Sequence, residues 1–470
     1  MLQTIRKSNL ILGTLMLTLA GVLTRIIGFF YRIFLSRQIG EEGMGIYQLL
    51  SPLMALSFSF TCAGIQTSLS KHVAACEAEN RHQKSILTLF CAFFISVLLS
   101  LFAGLLLCRF RIYISVAFLS EERCQNLITI YALSLPFCAI HSCINGYYFG
   151  LKKTTVPSVT QLIEQLVRVC SVIVLFFLFP DTDFEKKIAF AVLGLTLGEI
   201  ASSMTSLFIL RPVLKGSANK SVDFGGYNRA FCSLLSLAAP LSLNRIILNA
   251  LQSIEAAYLP RKLTEYGYAP SEALSVYGVF MGMALPMILF PQAVTSSVSV
   301  LLLPYVSEAE AKKDRKKISH SIFLTTTFCV LLGFACLVFF YLTGPLIGTL
   351  IFHSEDAGLF IRTLSFMCPF LYLGTLLTSI LNGLGKATLS FLIHISSISI
   401  RLLGIFIMVP VFGIKAYLYF LMLGQILYCI LNFVALKKYL YYNDSRCFRN
   451  LNGYKKNHTN IQTKGKNNEF

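Results

Sequence analysis

The sequence has no tryptophan and little charge. Only 13% of its 470 residues are Asp, Glu, Lys or Arg, and 22 acids face 40 bases. A soluble domain carries about 25% charged residues, so this scarcity, with 55% hydrophobic residues and a mean hydropathy of +0.69, takes the chain out of that class. Without tryptophan, any interfacial aromatic belt must be built from the 21 Tyr and 39 Phe. Enzymatic signatures are also missing. No HExxH occurs, and Gly385-Lys386 is not a phosphate loop, because Ile380 stands where the first glycine should be and Ala387 where Ser or Thr should be. Asp181-Thr182-Asp183 has the D-x-D form of a metal-dependent sugar-nucleotide transferase, but it sits in a loop of a few residues with no nucleotide-binding domain. The chain therefore reads as no enzyme and as needing no cofactor. The fourteen cysteines, scattered through apolar runs without a CxxC pair, read as small hydrophobic packers rather than metal ligands.

What is present is apolar length. A helix needs roughly 20 apolar residues to cross a bilayer, and twelve such runs recur, at about 8–35, 45–69, 85–108, 127–150, 155–179, 188–210, 230–258, 275–305, 319–351, 358–384, 387–411 and 413–436. The first is too long, and too early interrupted by Arg25, for a cleaved signal peptide, and no A-x-A-like site follows it. With the N-terminus inside, the inner loops and tails hold 25 Lys and Arg against 9 in the outer loops. That bias predicts a multi-pass plasma-membrane protein with both termini cytoplasmic. The net charge of +18 is then mostly a topology signal, and nucleic acid is not implied as a partner.

An internal repeat organises the runs. A constant offset of 233 residues carries Val73 onto Val306, Glu77 onto Glu310, Lys84 onto Lys317, Pro136 onto Pro369 and Arg168 onto Arg401. The expected architecture is an all-α polytopic membrane protein of about twelve transmembrane helices in two parallel six-helix bundles around a central cavity. Residues 1–210 form the N-terminal bundle, 211–229 a cytoplasmic linker, 230–436 the C-terminal bundle and 437–470 a basic, disordered cytoplasmic tail. Two such bundles make an alternating-access transporter layout.

Charges inside the runs mark the candidate site, since each costs about 2.5–3.5 kcal/mol near the bilayer centre and so faces a partner or a wet cavity. Arg25 and Arg32 share one helical stripe, about 10 Å apart along the axis; Arg32 and Arg37 lie near the outer end, where long side chains snorkel. Glu164 precedes Arg168 by four residues, the favourable order for an intrahelical pair. Arg245 and Glu255 lie within about 80° of each other around their helix, and Glu199 and Arg401 complete the set. Arginines outnumber carboxylates, so the cavity should be positive and suit an anionic, phosphate-bearing substrate held by guanidinium forks.

The runs TRIIGFFYRIFLSRQIGEEGMGIYQLLSP (24–52), AGIQTSLSKHVA (63–74), NGYYFGLKKTTVPSVTQLIEQLVRV (145–169) and LNGLGKATL (381–389) resemble the stage V sporulation protein B family. That family is a polysaccharide-exporter branch of the multidrug/oligosaccharidyl-lipid/polysaccharide (MOP) flippase superfamily, related to MATE transporters and lipid II flippases. The resemblance implies a flippase moving an undecaprenyl-pyrophosphate-linked saccharide outward for spore-cortex peptidoglycan. Its implied partners are the lipid-linked precursor, membrane lipids and cell-wall synthesis enzymes. Arg25, Arg32, Pro157, Gln161, Glu164, Gln165 and Arg168 fall on the family pattern. Two departures stand out. Many relatives have fourteen spans rather than twelve, and Tyr31-Arg32 stands where lipid II flippases carry an Arg-Asp pair. The alternative is a MATE-type drug or metabolite exporter driven by an ion gradient, which should expose carboxylates.

Overall fold

A computed structural model describes the backbone of residues 2–217, 224–312 and 315–465, and the side chains of 16–213, 231–299 and 320–439 with several between 302 and 312. Among the described residues there are helices and turns but no strand. The bilayer core offers no water to backbone amides, and a helix satisfies them within its own segment. Eleven described helices are long and apolar enough to cross a membrane. The first, Met16–Ala78, contains two arms, because the helix Leu2–Phe58 breaks at Gly40, whose φ of 68° and ψ of −171° only glycine adopts without strain. The twelve runs thus become α1 (2–39), α2 (41–78), α3 His82–Arg109, α4 Cys124–Gly150, α5 Thr155–Leu178, α6 Phe184–Ser217, α7 Phe224–Tyr266, α8 (270–311, bent at 290–291), α9 His320–Phe352, α10 Glu355–Gly383, α11 Ala387–Phe412 and α12 Ile414–Gly465.

The repeat has a backbone signature. Ser120 and His353, 233 residues apart, both take φ of 55°, and each follows a π-turn, Tyr113–Phe118 or Gly348–Phe352. The same offset takes Lys152 (φ 60°), after α4, onto Gly385 (φ 74°), after α10. Gly45 of α2 and Gly278 of α8 are related by it too, and they meet where these helices cross: a Cβ on Gly278 would lie 3.0 Å from the Gly45 Cα.

Two compact units divide the chain. The first comprises residues 1–293, 336–366 and 398–421; the second comprises 294–335, 367–397 and 422–470. The boundary does not fall at 211–229, since parts of α9 to α12 pack with the first repeat. One reason is visible at Arg37, whose guanidinium donates to the Ile351 and Leu350 carbonyls at 3.0 and 3.1 Å. The first unit has a core of Ile65, Leu69, Leu89, Ile144, Tyr147 and Leu234. The second centres on Val306, Leu376, Leu377, Ile380 and Leu381. Most of 211–229 continues α6 and α7 as helix, with 218–223 outside the described residues. Helix α12 extends past its apolar run to Gly465, where composition predicts disorder.

Candidate functional site

Helices α4, α5 and α6 bring four ionisable side chains together inside the first unit. Arg168 and Glu164 pair along α5, as their spacing predicts, with side chains only 20% and 18% exposed. Across from them, His141 of α4 places Nδ1 2.9 Å from Glu199 Oε2 of α6 and Nε2 4.0 Å from Glu164 Oε2. A glycine pair makes this possible. Gly194 and Gly198, four residues apart on α6, let its backbone close on α5, and a Cβ on Gly198 would stand 2.7 Å from the Glu164 carbonyl oxygen. Glu199 is thereby carried next to the pair. Thr160 ties α5 to α4 through Asn145 Oδ1 at 3.1 Å.

Glu164, His141 and Glu199 border a cavity of about 350 Å³ that Met54, Tyr131 and Cys138 also line. Its ionisable lining is two carboxylates and one imidazole, so this pocket within the first unit is acid-rich and distinct from the central cavity that the excess of arginine predicts to be positive; Arg25, Arg32 and Arg245 line no part of it.

Opposite α4, α2 departs from α-helical winding through a π-turn, Ser59–Ala63. Such a turn disturbs the backbone hydrogen-bond ladder, and polar groups of α7 meet the carbonyls there. Asn249 Nδ2 donates to the Ala55 carbonyl at 3.1 Å and to Ser59 Oγ at 2.6 Å, and Arg245 Nη1 reaches the Ala63 carbonyl at 3.5 Å. Arg245 thus serves the α2 backbone. It does not pair with Glu255, its neighbour around the helix.

Glu255 pairs instead with Arg401 of α11 at 3.0 Å and accepts a hydrogen bond from Tyr417 Oη at 2.8 Å. This second cluster is drier: Glu255 is 6% exposed, and Tyr277, Phe280 and Tyr417 beside it are buried. The eight sequence-derived candidates therefore separate. Glu164, Arg168 and Glu199 form one cluster, Glu255 and Arg401 another, Arg245 lies on the π-turn, Arg25 is exposed on α1 and Arg32 half-buried.

His141, Cys138 and Asn249 are absent from the sequence-derived set. For the first two a signal existed: three residues apart, they share one helical face, which a search for paired cysteines passes over. Cys138 departs from the reading of the cysteines as packers alone, because its thiol, the His141 ring and a Glu199 oxygen all lie within 4.8 Å of one another.

Comparison with known proteins agrees with this architecture. The polysaccharide biosynthesis protein family matches residues 10–310, and the MatE family matches 265–407. The stage V sporulation protein B of Bacillus subtilis is 26% identical over 439 residues, spanning 92% of this chain and 85% of that protein. The lipid II flippase MurJ of the same organism is 20% identical over 466 residues, spanning 93% and 84%. Among solved structures, an inward-facing multidrug resistance MATE family transporter of the MOP superfamily superposes with a TM-score of 0.67 at 15% identity, covering 90% of this chain and 96% of that one. A MOP superfamily transporter from Pyrococcus furiosus, described by the reverse polarity of its binding pocket, gives 0.63 at 15% identity, with 91% and 95% covered.

Proposed function

Because the chain belongs to the polysaccharide biosynthesis protein family and is a multi-pass membrane flippase or exporter of the MOP superfamily, we propose that its cargo is an undecaprenyl-pyrophosphate-linked saccharide, a lipid II-like precursor moved outward by alternating access for spore-cortex peptidoglycan. The 1–210 and 230–436 bundles rock about the bound lipid in this reading. Both termini face the cytoplasm of a plasma-membrane protein, and cell-wall synthesis enzymes take the delivered precursor.

The observation that carries the reading is Arg25, a guanidinium kept exposed in the middle of an apolar helix, with Arg32 seven residues on along the same stripe. A planar fork suits a pyrophosphate bidentately. Losing one charge-assisted partner costs about 1.5–3 kcal/mol, roughly ten- to a hundredfold in binding. Outward appearance of lipid II, followed in vesicles or in depleted cells, is the test. Arg25→Ala should abolish it at normal membrane abundance, and Arg25→Lys should keep part of it, because charge survives and the fork does not. Normal flipping by Arg25→Ala would overturn the pyrophosphate clamp.

The pocket at Glu164 and Glu199 favours a second reading, an ion-driven drug or metabolite exporter, because it offers carboxylates. Efflux of cationic dyes lost in Glu199→Gln, with lipid II movement unchanged, would select that reading.

A further inference from the structure

We infer that Cys138, His141 and Glu199 form a binding site for a transition-metal dication of the zinc class, inside the membrane between α4 and α6. Three different donors converge there. The thiol, a ring nitrogen and a carboxylate oxygen lie within 4.8 Å of one another; donors at roughly 2.0–2.3 Å from one ion stand closer together than that, so the widest pair closes by up to about 1 Å when the ion binds. Mixed S, N and O donors suit zinc and its neighbours, whereas magnesium and calcium prefer oxygen alone.

Two further observations point to an ion. His141 Nδ1 and Glu199 Oε2 approach to 2.9 Å as an ion pair, so two of the three donors already stand side by side, and a dication would take the place of the proton they share. The second observation is charge. Glu164 and Glu199 are two carboxylates beside a single permanent cation, Arg168, so one further positive charge, carried by a proton or a metal ion, balances the cluster. Binding of a dication, with release of the Cys138 thiol proton to solvent, gives two positive charges from the metal and one from Arg168 against three negative from Glu164, Glu199 and the thiolate. The cluster becomes neutral.

Three protein ligands leave a fourth position, and it faces the cavity of about 350 Å³ bordered by Met54, Tyr131 and Ser134, where water can complete a tetrahedron. Cys62, on the π-turn of α2, packs against Cys138.

The test uses the full-length protein purified in detergent, stripped with chelator and titrated with Co²⁺ alone and with Zn²⁺ alone. One equivalent of Co²⁺ should bind and give thiolate-to-cobalt charge-transfer absorption, discharged by Zn²⁺. Cys138→Ser should abolish the thiolate band, and His141→Ala or Glu199→Gln should each weaken binding by roughly tenfold or more. Cys170→Ser, at an exposed site on α5, should leave the titration unchanged. Absence of the thiolate band in the unsubstituted protein overturns the proposal without recourse to any variant, and the charge is then balanced by a proton on His141. Metal uptake that Cys138→Ser, His141→Ala and Glu199→Gln all leave intact overturns it equally.

Discussion

Arg168 and Arg401 stand at corresponding places in the two repeats, and they are neutralised differently. Arg168 finds Glu164 one turn earlier on its own helix, and Glu164 lines a pocket with His141 and Glu199. Arg401 has Ser397 at the place of that acid, and its counter-charge, Glu255, comes from α7. The offset turns His141 into Gly374 and Glu199 into Asn432, whose amide is buried and satisfied by the Tyr428 carbonyl at 2.7 Å. The glycine seam goes as well: Gly194 and Gly198 become Leu427 and Leu431. Duplication therefore preserved the helix frame and one arginine while the chemistry around it diverged. One half holds a dry, locked ion pair with a tyrosine clamp. The other holds a cavity lined by two carboxylates and a histidine.

The largest effect should come from breaking the dry pair. Arg401→Gln leaves Glu255 buried with Tyr417 as its remaining partner, at a cost of about 3–5 kcal/mol, read as a fall in detergent melting temperature and in membrane abundance. Adding Glu255→Gln should recover most of both. The matching double change in the other half sharpens the contrast. Glu164→Gln with Arg168→Gln should restore the abundance that either change alone lowers, because no lone charge remains, while transport stays lost. Recovered transport would make that pair another packing device.

Smaller effects follow from the seam and the backbone contacts. Gly198→Leu installs the residue found at the equivalent place in the second repeat, and it must displace the Glu164 carbonyl 2.7 Å from its Cβ. Overpacking of this kind costs about 1–3 kcal/mol. It should impair transport more than stability, since it pushes Glu199 away from His141. Asn249→Ala removes the donor to the Ala55 carbonyl and Ser59, worth about 1 kcal/mol or somewhat more. Amide exchange of 55–63 should rise before the melting temperature falls. Arg37→Ala should have the least effect on stability, about 1 kcal/mol or less, because its bonds to Leu350 and Ile351 are exposed. Its loss should raise the rate at which a cysteine at position 351 is labelled. Unchanged labelling would return Arg37 to the status of a snorkelling side chain.

The sequence by itself determined the membrane class, the twelve spans, the repeat and the α5 ion pair. Each depends on local length, period or spacing, quantities that survive without knowing which helix is beside which. Even the break at Gly40 and the positive-φ turns at 120 and 353 follow helix ends that hydropathy already marked. Tertiary structure alone decided the partners. Whether Glu255 meets Arg245, ten residues away, or Arg401, far along the chain, depends on which face of α7 turns toward α11, and hydropathy does not encode that in a helix apolar nearly all round. The same holds for the acid-rich pocket. A global excess of arginine says nothing about a pocket of a few side chains, whose lining was settled by two glycines on α6 that let Glu199 approach His141 and Glu164.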